Sequence, residues 1–150
     1  MTVRSVSAAP GGTLRLGGDL PVHRLGFGAM RISVDQIARA RRFFSVASVQ
    51  NRYNLVERQS EPVLDYCERE NIAFVPWYPL LLGRVAERPA VARIASRHLA
   101  TSLQVALAWL LKRSAIMLPI PGTARVAHLE ENVAAASLEL SAEELEQLAG

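Results

Sequence analysis

Short apolar segments alternate with helical segments from residue 34 onward, and this order restricts the fold more than any other feature. The apolar segments 46–50, 72–75 and 115–118 have the length of β-strands, and helical patterns separate them. Strands joined through helices form parallel β/α units with right-handed crossovers. The sequence therefore predicts an α/β fold, a parallel sheet with outer helices. Because segment 72–75 is continuously apolar, we expect it to be buried on both faces.

Helix boundaries are marked by capping residues. Ser33 with Gln36, Thr101 with Gln104, and Ser141 with Glu144 each place a hydroxyl three residues before an amide or a carboxylate. Pro62 suits a first helical turn, and Asn71 suits a left-handed residue after a helix. The predicted helices run from Ser33 to about Phe43, Glu61 to about Glu70, Pro89 to His98, Thr101 to about Arg113, and from the turn at Thr123 to about Ala136, with a short one after Ser141.

The N-terminal part is predicted to contain a leader and a hairpin. Residues 1–12 are small and polar, which predicts a disordered leader, and residues 13–150 are expected to form one domain. Residues 13–16 and 20–22 flank a glycine turn and predict a β-hairpin. Residues 24–30 predict a short strand. Its two glycines are not a dinucleotide fingerprint, because no third glycine and no helix follow at the required spacing.

Composition favours a cytoplasmic protein that binds neither nucleic acid nor membrane. The formal charge is +3, but the basic residues are scattered, and the group at Arg39, Arg41 and Arg42 is better explained by a solvated helix face than by a nucleic-acid site. The apolar segments are too short to span a bilayer. Residues 1–12 lack the apolar run of a signal peptide. The single cysteine, Cys67, lies on a helical pattern and is expected to be a buried structural thiol.

Three predicted strand ends carry residues suited to a ligand: Gln50-Asn51, Trp77 to Leu80, and Ile120 to Thr123. In parallel α/β folds, ligands bind beyond the carboxyl ends of the strands. An amide, a large aromatic side chain and a helix start that suits an anion would together fit a ring-bearing phosphate ligand. An ordinary strand–turn–helix joint is the alternative at Ile120–Thr123, and turn chemistry alone favours it.

The residues at these strand ends closely resemble motifs of the aldo-keto reductases, NAD(P)H-dependent oxidoreductases with a TIM-barrel fold. The matching segments are 49–55 (VQNRYNL), 74–80 (FVPWYPL), 119–123 (PIPGT) and 128–132 (HLEEN). Together with the hairpin and segment 25–28 (LGFG), the resemblance covers nearly everything after Gly12. The motifs follow one another in the family's order and spacing, which makes the resemblance specific.

The resemblance implies which residues would contact the nicotinamide half of the cofactor. Gln50 corresponds to the residue that hydrogen-bonds the nicotinamide carboxamide, and Trp77 to the aromatic residue that stacks on the ring. Leu80 would line the pyrophosphate. Ala29 and Met30 would lie beside the cofactor at the end of the first strand.

The other half of the cofactor is implied to lie at the turn after residue 118 and on the helix that follows. The family holds the adenosine end and, in NADPH-preferring members, the 2′-phosphate at positions that match Gly122, Thr123, Arg125 and His128. Glu131 and Asn132 match the pair that contacts adenine. The resemblance thus implies NADP(H) in preference to NAD(H), and it implies no metal.

The family's catalytic residues have no counterpart in this chain. A complete (β/α)8 barrel needs about 250 residues, whereas this chain has 150. Residues 30–32 run directly into the helix at Ser33, which resembles the helix before the sixth barrel strand. The resemblance therefore implies a partial TIM barrel with strands equivalent to 1, 6, 7 and 8. The family's catalytic aspartate, tyrosine, lysine and histidine belong to the missing segment, so no catalytic residue is predicted. We considered whether other residues could replace this catalytic set, and they do not form one. Those considered are Asp19, His23, Asp35, Tyr53, Asp65, Tyr66, Tyr78, His98, Lys112 and His128.

Three functions are compatible with the sequence. The first is an oxidoreductase family member with little or no remaining carbonyl reduction. The second is a non-catalytic module that binds NADP(H) or a protein partner. The third is a deletion fragment without a selected function. A half-barrel leaves its interior and two strand edges open, so we expect either self-association over that interior or marginal folding.

Overall fold

The computed structural model describes residues 9–16, 18–24 and 31–149. The predicted hairpin is confirmed: β1 (Thr13–Leu16) pairs antiparallel with β2 (Leu20–His23). Gly18, in the connecting turn, has a φ of 89°, a value that favours glycine. Ala9–Gly11 forms one 3-10 turn, whereas residues 1–8 of the predicted leader lie outside the described residues. So do residues 25–30, which include most of the predicted first strand.

The central sheet pairs β3 (Ser48–Arg52) with β4 (Ala73–Trp77) in parallel, as the helical connection predicts. The predicted strand 115–118 is reduced to a single parallel bridge between Phe74 and Met117. The Phe74 N–H donates to the Ile116 carbonyl at 2.9 Å, and the Leu118 N–H donates to the Phe74 carbonyl at 2.8 Å. The Met117 N–H bonds the Ser114 carbonyl at 3.2 Å, so a turn precedes the bridge and shortens the strand.

The part of the chain that the structure describes also contains six α-helices. All three predicted capping boxes are present, with both reciprocal hydrogen bonds in each. Asn71, with a φ of 51°, is the predicted left-handed residue after the second helix. The first helix ends before its predicted boundary because the Phe43 N–H bonds the Ala40 carbonyl in a tighter turn. The helices are α1 (Val34–Ala40), α2 (Glu61–Arg69), α3 (Pro89–Arg97), α4 (Ser102–Arg113), α5 (Val126–Ala134) and α6 (Ala142–Ala149).

Single-turn or irregular segments complete the fold. Leu81–Glu87 is a kinked 3-10 segment between β4 and α3, and Ala135–Ser137 is a 3-10 turn directly after α5. The predicted helix to Ala136 therefore changes to 3-10 geometry after Ala134. None of the helices among the described residues is long and apolar enough to cross a bilayer.

The hydrophobic core lies between the sheet and the helices. Phe74 is fully buried and contacts the edge of the Tyr53 ring at 5.8 Å between centroids, and Tyr53 stacks on Trp109 at 6.1 Å. The predicted structural thiol is confirmed: Cys67 is fully buried, and burial raises its pKa to about 11. A thiol with that pKa stays protonated at neutral pH and acts as a small apolar side chain.

The opposite face of the sheet is open. Along β3, Val49 and Asn51 are buried, whereas Ser48 and Gln50 are exposed. Along β4, Ala73, Val75 and Trp77 are only half-buried. The prediction that segment 72–75 is buried on both faces is therefore wrong. The helices cover the face of Val49 and Phe74, and among the described residues nothing buries the other face to the same extent.

Candidate functional site

Gln50 and Trp77 lie on the open face of the sheet. In the parallel register, Gln50 is opposite Val75 and Arg52 is opposite Trp77. Paired residues of neighbouring strands point to the same face, and alternate residues of one strand do so too. Gln50, Arg52 and Trp77 therefore share the face that the helices leave uncovered. The structure thus brings the predicted carboxamide contact and the predicted stacking ring to adjacent strand ends.

Trp77 is held from one side by a cation. The Arg52 guanidinium carbon lies 5.3 Å from the centre of the Trp77 ring and 4.7 Å from that of Tyr78. The two rings are 6.1 Å apart and tilted by 51°. The Trp77 Nε1–H is buried and has no hydrogen-bond partner among the described residues.

Arg52 is itself fixed by a carboxylate. Its Nε and Nη2 donate to the two Glu57 oxygens at 2.6 and 2.7 Å, and Asn54 Nδ2 donates to Glu57 at 3.0 Å. Burial alone would raise the pKa of Glu57, but the hydrogen bonds from Arg52 and Asn54 outweigh burial and lower it. Glu57 is therefore ionised throughout the neutral range, and the bidentate pair is intact there.

Asn54 connects this pair to the backbone after β4. Its Oδ1 accepts the N–H groups of Val56 and Glu57 at 2.9 and 2.8 Å, and its Nδ2 also donates to the Tyr78 carbonyl at 3.2 Å. Tyr78 has a φ of 64°, which is strained for an aromatic residue. The buried Asn54 therefore holds the two strand ends together at the point where the chain turns.

Leu80 follows in the loop after Trp77 and packs partly against the core. Its carbonyl accepts the Gly83 N–H at 2.8 Å. Leu81, Leu82 and Gly83 all have positive φ values, 51°, 51° and 87°. The tight turn places the predicted pyrophosphate contact beside the carboxyl end of β4.

The turn at residues 121–125 presents an exposed helix start. Thr123 Oγ1 accepts the Arg125 N–H at 3.1 Å, and Arg125 precedes α5 without capping it through its side chain. Gly122, Thr123, Arg125 and His128 are all exposed. A Cβ added at Gly122 would meet no atom within 4 Å, so the surface there is open. Free N–H groups at the start of α5, together with Arg125, suit an anion such as a phosphate.

Glu131 and Asn132 lie half-buried in the middle of α5. Gln104 Nε2 donates to the Glu131 carbonyl at 3.1 Å, which ties α5 to the first turn of α4. The remaining two predicted cofactor residues, Ala29 and Met30, lie outside the described residues.

Four of the residues considered as catalytic substitutes are engaged elsewhere in the described part of the chain, whereas Tyr78 lies beside Trp77. Tyr53 is fully buried in the core, and its hydroxyl donates to Glu61 at 2.7 Å. Burial and this hydrogen bond raise its pKa well above the ordinary range, so it retains its proton. Lys112 pairs with Glu139 at 2.8 Å, and His98 contacts Glu144 at 3.0 Å. Tyr66 accepts from Arg41 on the outer surface.

Two further features of the described residues bear on ligands. No group of three His, Cys, Asp or Glu side chains is placed to hold a metal ion within the described ranges. A cleft of about 480 Å³ lies at the end of β3 and is lined by Arg31, Ser33, Asn51, Arg52 and Glu57 among others, but by none of the predicted cofactor residues.

Sequence reasoning did not identify Arg52 as a site residue, although it lies in the VQNRYNL motif. The alternation of side chains along a strand could have identified it, because residue 52 lies on the same face of the strand as residue 50. The contact with Trp77 depended on the register between β3 and β4, which periodicity alone does not give.

Comparison with known proteins assigns the chain to a family. Residues 22–150 match the Aldo/keto reductase family profile. The chain belongs to the aldo-keto reductase family. It is 51% identical over 117 residues to an uncharacterized oxidoreductase of Schizosaccharomyces pombe, covering 77% of this chain and 38% of that protein. It is 42% identical over 123 residues to pyridoxine 4-dehydrogenase of Escherichia coli, covering 82% and 43%.

Solved structures of the family share this fold. A thermostable aldo-keto reductase bound to the inhibitor epalrestat superposes with a TM-score of 0.74 at 28% identity, covering 81% of this chain and 46% of that one. An aldo-keto reductase of Klebsiella pneumoniae in complex with NADPH also gives 0.74, at 25% identity and with coverage of 81% and 45%. This aldo-keto reductase family member therefore spans less than half the length of these relatives. Its fold corresponds to part of their TIM barrel.

Proposed function

We propose that this chain binds NADP(H) in preference to NAD(H) and has little or no carbonyl reductase activity. The observation that carries the proposal is the placement of Gln50 and Trp77 together on the open face of the sheet. The open surface at Gly122 leaves room for a ligand there. NADPH bound to an intact aldo-keto reductase supplies the hydride that reduces a carbonyl group.

The chain's own residues would bind and orient the cofactor. The Gln50 amide has one donor and one acceptor group for a carboxamide, and the Trp77 ring offers a stacking surface. Thr123, Arg125 and His128 would bind the phosphate at the adenosine end. Glu131 and Asn132 are the proposed adenine contacts, Leu80 would line the pyrophosphate, and Ala29 and Met30 would complete the site.

We expect low activity because Lys112, the one lysine of the sequence, is paired with Glu139 and with no tyrosine among the described residues. A ketone oxygen needs a proton when a hydride adds to its carbon, and a general acid commonly contributes about 10²–10⁴-fold to the rate. Tyr53 and Lys112 are held by Glu61 and Glu139, away from the open face. The proposed architecture is a partial barrel with strands equivalent to 1, 6, 7 and 8.

A non-catalytic binding module is the second candidate, with a second copy of this chain as its protein partner. Five apolar side chains between residue 118 and the end of α5 are more than half exposed: Leu118, Ile120, Val126, Leu129 and Val133. Exposed apolar side chains grouped in this way suit a protein–protein contact.

We also expect this protein to act in the cytoplasm. Its one cysteine is a buried thiol that forms no disulfide within the chain. Thiols stay reduced in that compartment.

The cofactor preference is tested by removing the proposed 2′-phosphate contacts. Arg125→Ala combined with His128→Ala should weaken NADPH binding by about tenfold or more, because charge-assisted bonds to a phosphate are lost. NADH binding should change much less. Binding is measured by titration of cofactor fluorescence, with Arg93→Ala, an exposed arginine of α3, as the control. Equal losses for the two cofactors would contradict the assignment.

A further inference from the structure

Among the described residues, Arg52 is the charged side chain that lies against the proposed nicotinamide-stacking ring. It projects from β3 on the same face as Gln50, two residues earlier, and it is opposite Trp77 in the register. Its guanidinium lies within 5.3 Å of the Trp77 ring centre and within 4.7 Å of the Tyr78 ring centre. A cation at this distance is attracted to the face of an aromatic ring.

Arg52 is held in place by a carboxylate. Both Glu57 oxygens accept from it at 2.6 and 2.7 Å, and this pairing uses its Nε and Nη2. A planar fork held by a carboxylate is fixed in orientation, unlike a lysine ammonium. The guanidinium therefore keeps a fixed position beside the two rings.

The positions of the Trp77 and Tyr78 rings depend on the Arg52 guanidinium and on Asn54. Tyr78 adopts a φ of 64°, and Asn54 holds its carbonyl at 3.2 Å while it also donates to Glu57 at 3.0 Å. Strained backbone persists only where neighbouring groups hold it. Arg52, Glu57 and Asn54 form one connected hydrogen-bonded group that ends on the side chain of Trp77 and on the backbone and ring of Tyr78.

We propose that Arg52, held by Glu57, is a positioning residue that fixes the Trp77 ring in the orientation needed to stack on a nicotinamide ring. The proposal rests on the proposed function, because it assigns a role to the support of that cofactor site. It adds two residues outside the set of cofactor contacts. It also predicts that a lysine cannot replace Arg52, since an ammonium cannot pair with both Glu57 oxygens in a planar fork while it keeps the same position beside the rings.

Two variants and a matched control test this role. Arg52→Lys keeps the charge and removes the planar bidentate pair, whereas Glu57→Gln keeps the shape and removes the charge that holds Arg52. Arg69→Lys is the control, because Arg69 lies 5.8 Å from the Tyr66 ring centre on α2, on a surface away from the site. All are compared at a temperature at which circular dichroism shows them folded.

The first readout needs no cofactor. Acrylamide quenching of tryptophan emission reports mainly on Trp77, because Trp109 is only 4% exposed. Arg52→Lys and Glu57→Gln should each raise the quenching constant by about twofold, as the cation leaves the ring face. A lost structural contact far from the ring would lower the melting temperature without this change. Unchanged quenching in both variants would overturn the positioning role, whether or not the protein binds NADPH.

The second readout is NADPH affinity. Each single variant should bind NADPH about tenfold more weakly than the unmodified protein, a loss that corresponds to about 1.4 kcal/mol. The double variant should lose no more than the weaker-binding single variant, because the two residues act as one unit. Variants that bind NADPH as tightly as the unmodified protein overturn the positioning role alone. An unmodified protein that does not bind NADPH overturns the proposed function instead.

Discussion

At the scale of single residues, the open face of the sheet is defined by alternation along β3. Gln50 is exposed there, whereas its neighbours Val49 and Asn51 are buried. The Asn51 side-chain amide accepts the Ile32 N–H at 3.1 Å and donates to the Ile32 carbonyl at 2.9 Å. The strand thus uses one face for packing and the other for polar groups. The VQNRYNL motif carries both roles in consecutive residues.

Gly122 is a residue whose replacement should separate binding from folding. A Cβ there would meet no atom within 4 Å, and the backbone is not in the left-handed region. Gly122→Ala should therefore change the melting temperature by less than about 2 °C. It should weaken NADPH binding, because the methyl group would stand between the turn's backbone and a phosphate.

The measurement combines thermal unfolding with a cofactor titration. Ala124→Ser, an exposed change in the same turn, serves as the control. A large loss of stability would show that Gly122 is required by the fold. Unchanged affinity would show that the phosphate does not approach this turn.

At the scale of elements, helix starts were the most predictable features. Ser33, Thr101 and Ser141 cap helices as predicted because a hydroxyl and a side-chain acceptor three residues later satisfy local N–H groups without tertiary help. Strand 115–118 was less predictable. Its pairing depends on Phe74, about 40 residues earlier in the chain, and a turn at Ser114 competes for its backbone.

The same limit applies to the candidate site. The family motifs identified Gln50 and Trp77 as site residues from the sequence alone. This was possible because the side-chain chemistry that suits each residue to a cofactor does not depend on its neighbours. The contact between Arg52 and Trp77 arises only when β3 and β4 pair in one register. Whether segment 72–75 is buried on one face or on both likewise depends on which other strands and helices cover the sheet.

The start of α6 should make stability depend on pH. Glu144 accepts the Ser141 N–H at 3.0 Å and contacts His98 at 3.0 Å and Arg97 at 3.2 Å. The Ser141 N–H lowers the pKa of Glu144, burial opposes this, and His98 and Arg97 lower it further. A carboxyl with a depressed folded-state pKa stabilises the fold above its ordinary pKa, 4.5, and loses this contribution as the pH falls through the lower value.

Glu144→Gln should therefore destabilise the protein by up to about 1 kcal/mol at pH 7, because the neutral amide can still cap the helix but loses the charge that faces Arg97 and His98. The difference from the unmodified protein should shrink steadily below pH 4.5. Denaturant unfolding at several pH values measures it, and Glu143→Gln, an exposed neighbour in the same turn, is the control. A difference that does not vary with pH would contradict the role of the Glu144 charge.

At the scale of the whole molecule, the open sheet face and the apolar side of α5 are the two surfaces that need an explanation. Helix α5 buries none of its residues, and Val126, Leu129 and Val133 recur at helical spacing on one side of it. Exposed apolar surface of this kind marks an interaction site. A second copy of the chain would cover it without requiring another component.

We therefore expect the protein to dimerise at micromolar concentrations, and Leu129→Glu to shift it to the monomer. Leu99→Glu is the matched control, because Leu99 is 97% exposed and lies outside this apolar side of α5. Sedimentation equilibrium measures both. An unmodified protein that is monomeric and unfolds cooperatively at high concentration would contradict self-association.

The central claim is that the cofactor half of an aldo-keto reductase site is kept without the groups that would use the cofactor. The most direct measurement is one experiment on the purified, unmodified chain: NADPH fluorescence on titration, followed by oxidation of the bound NADPH with a panel of aldehydes and ketones. We predict saturable NADPH binding and no carbonyl-dependent oxidation above the rate without protein. Turnover at the rate of an ordinary reductase, or no binding at all, would contradict it.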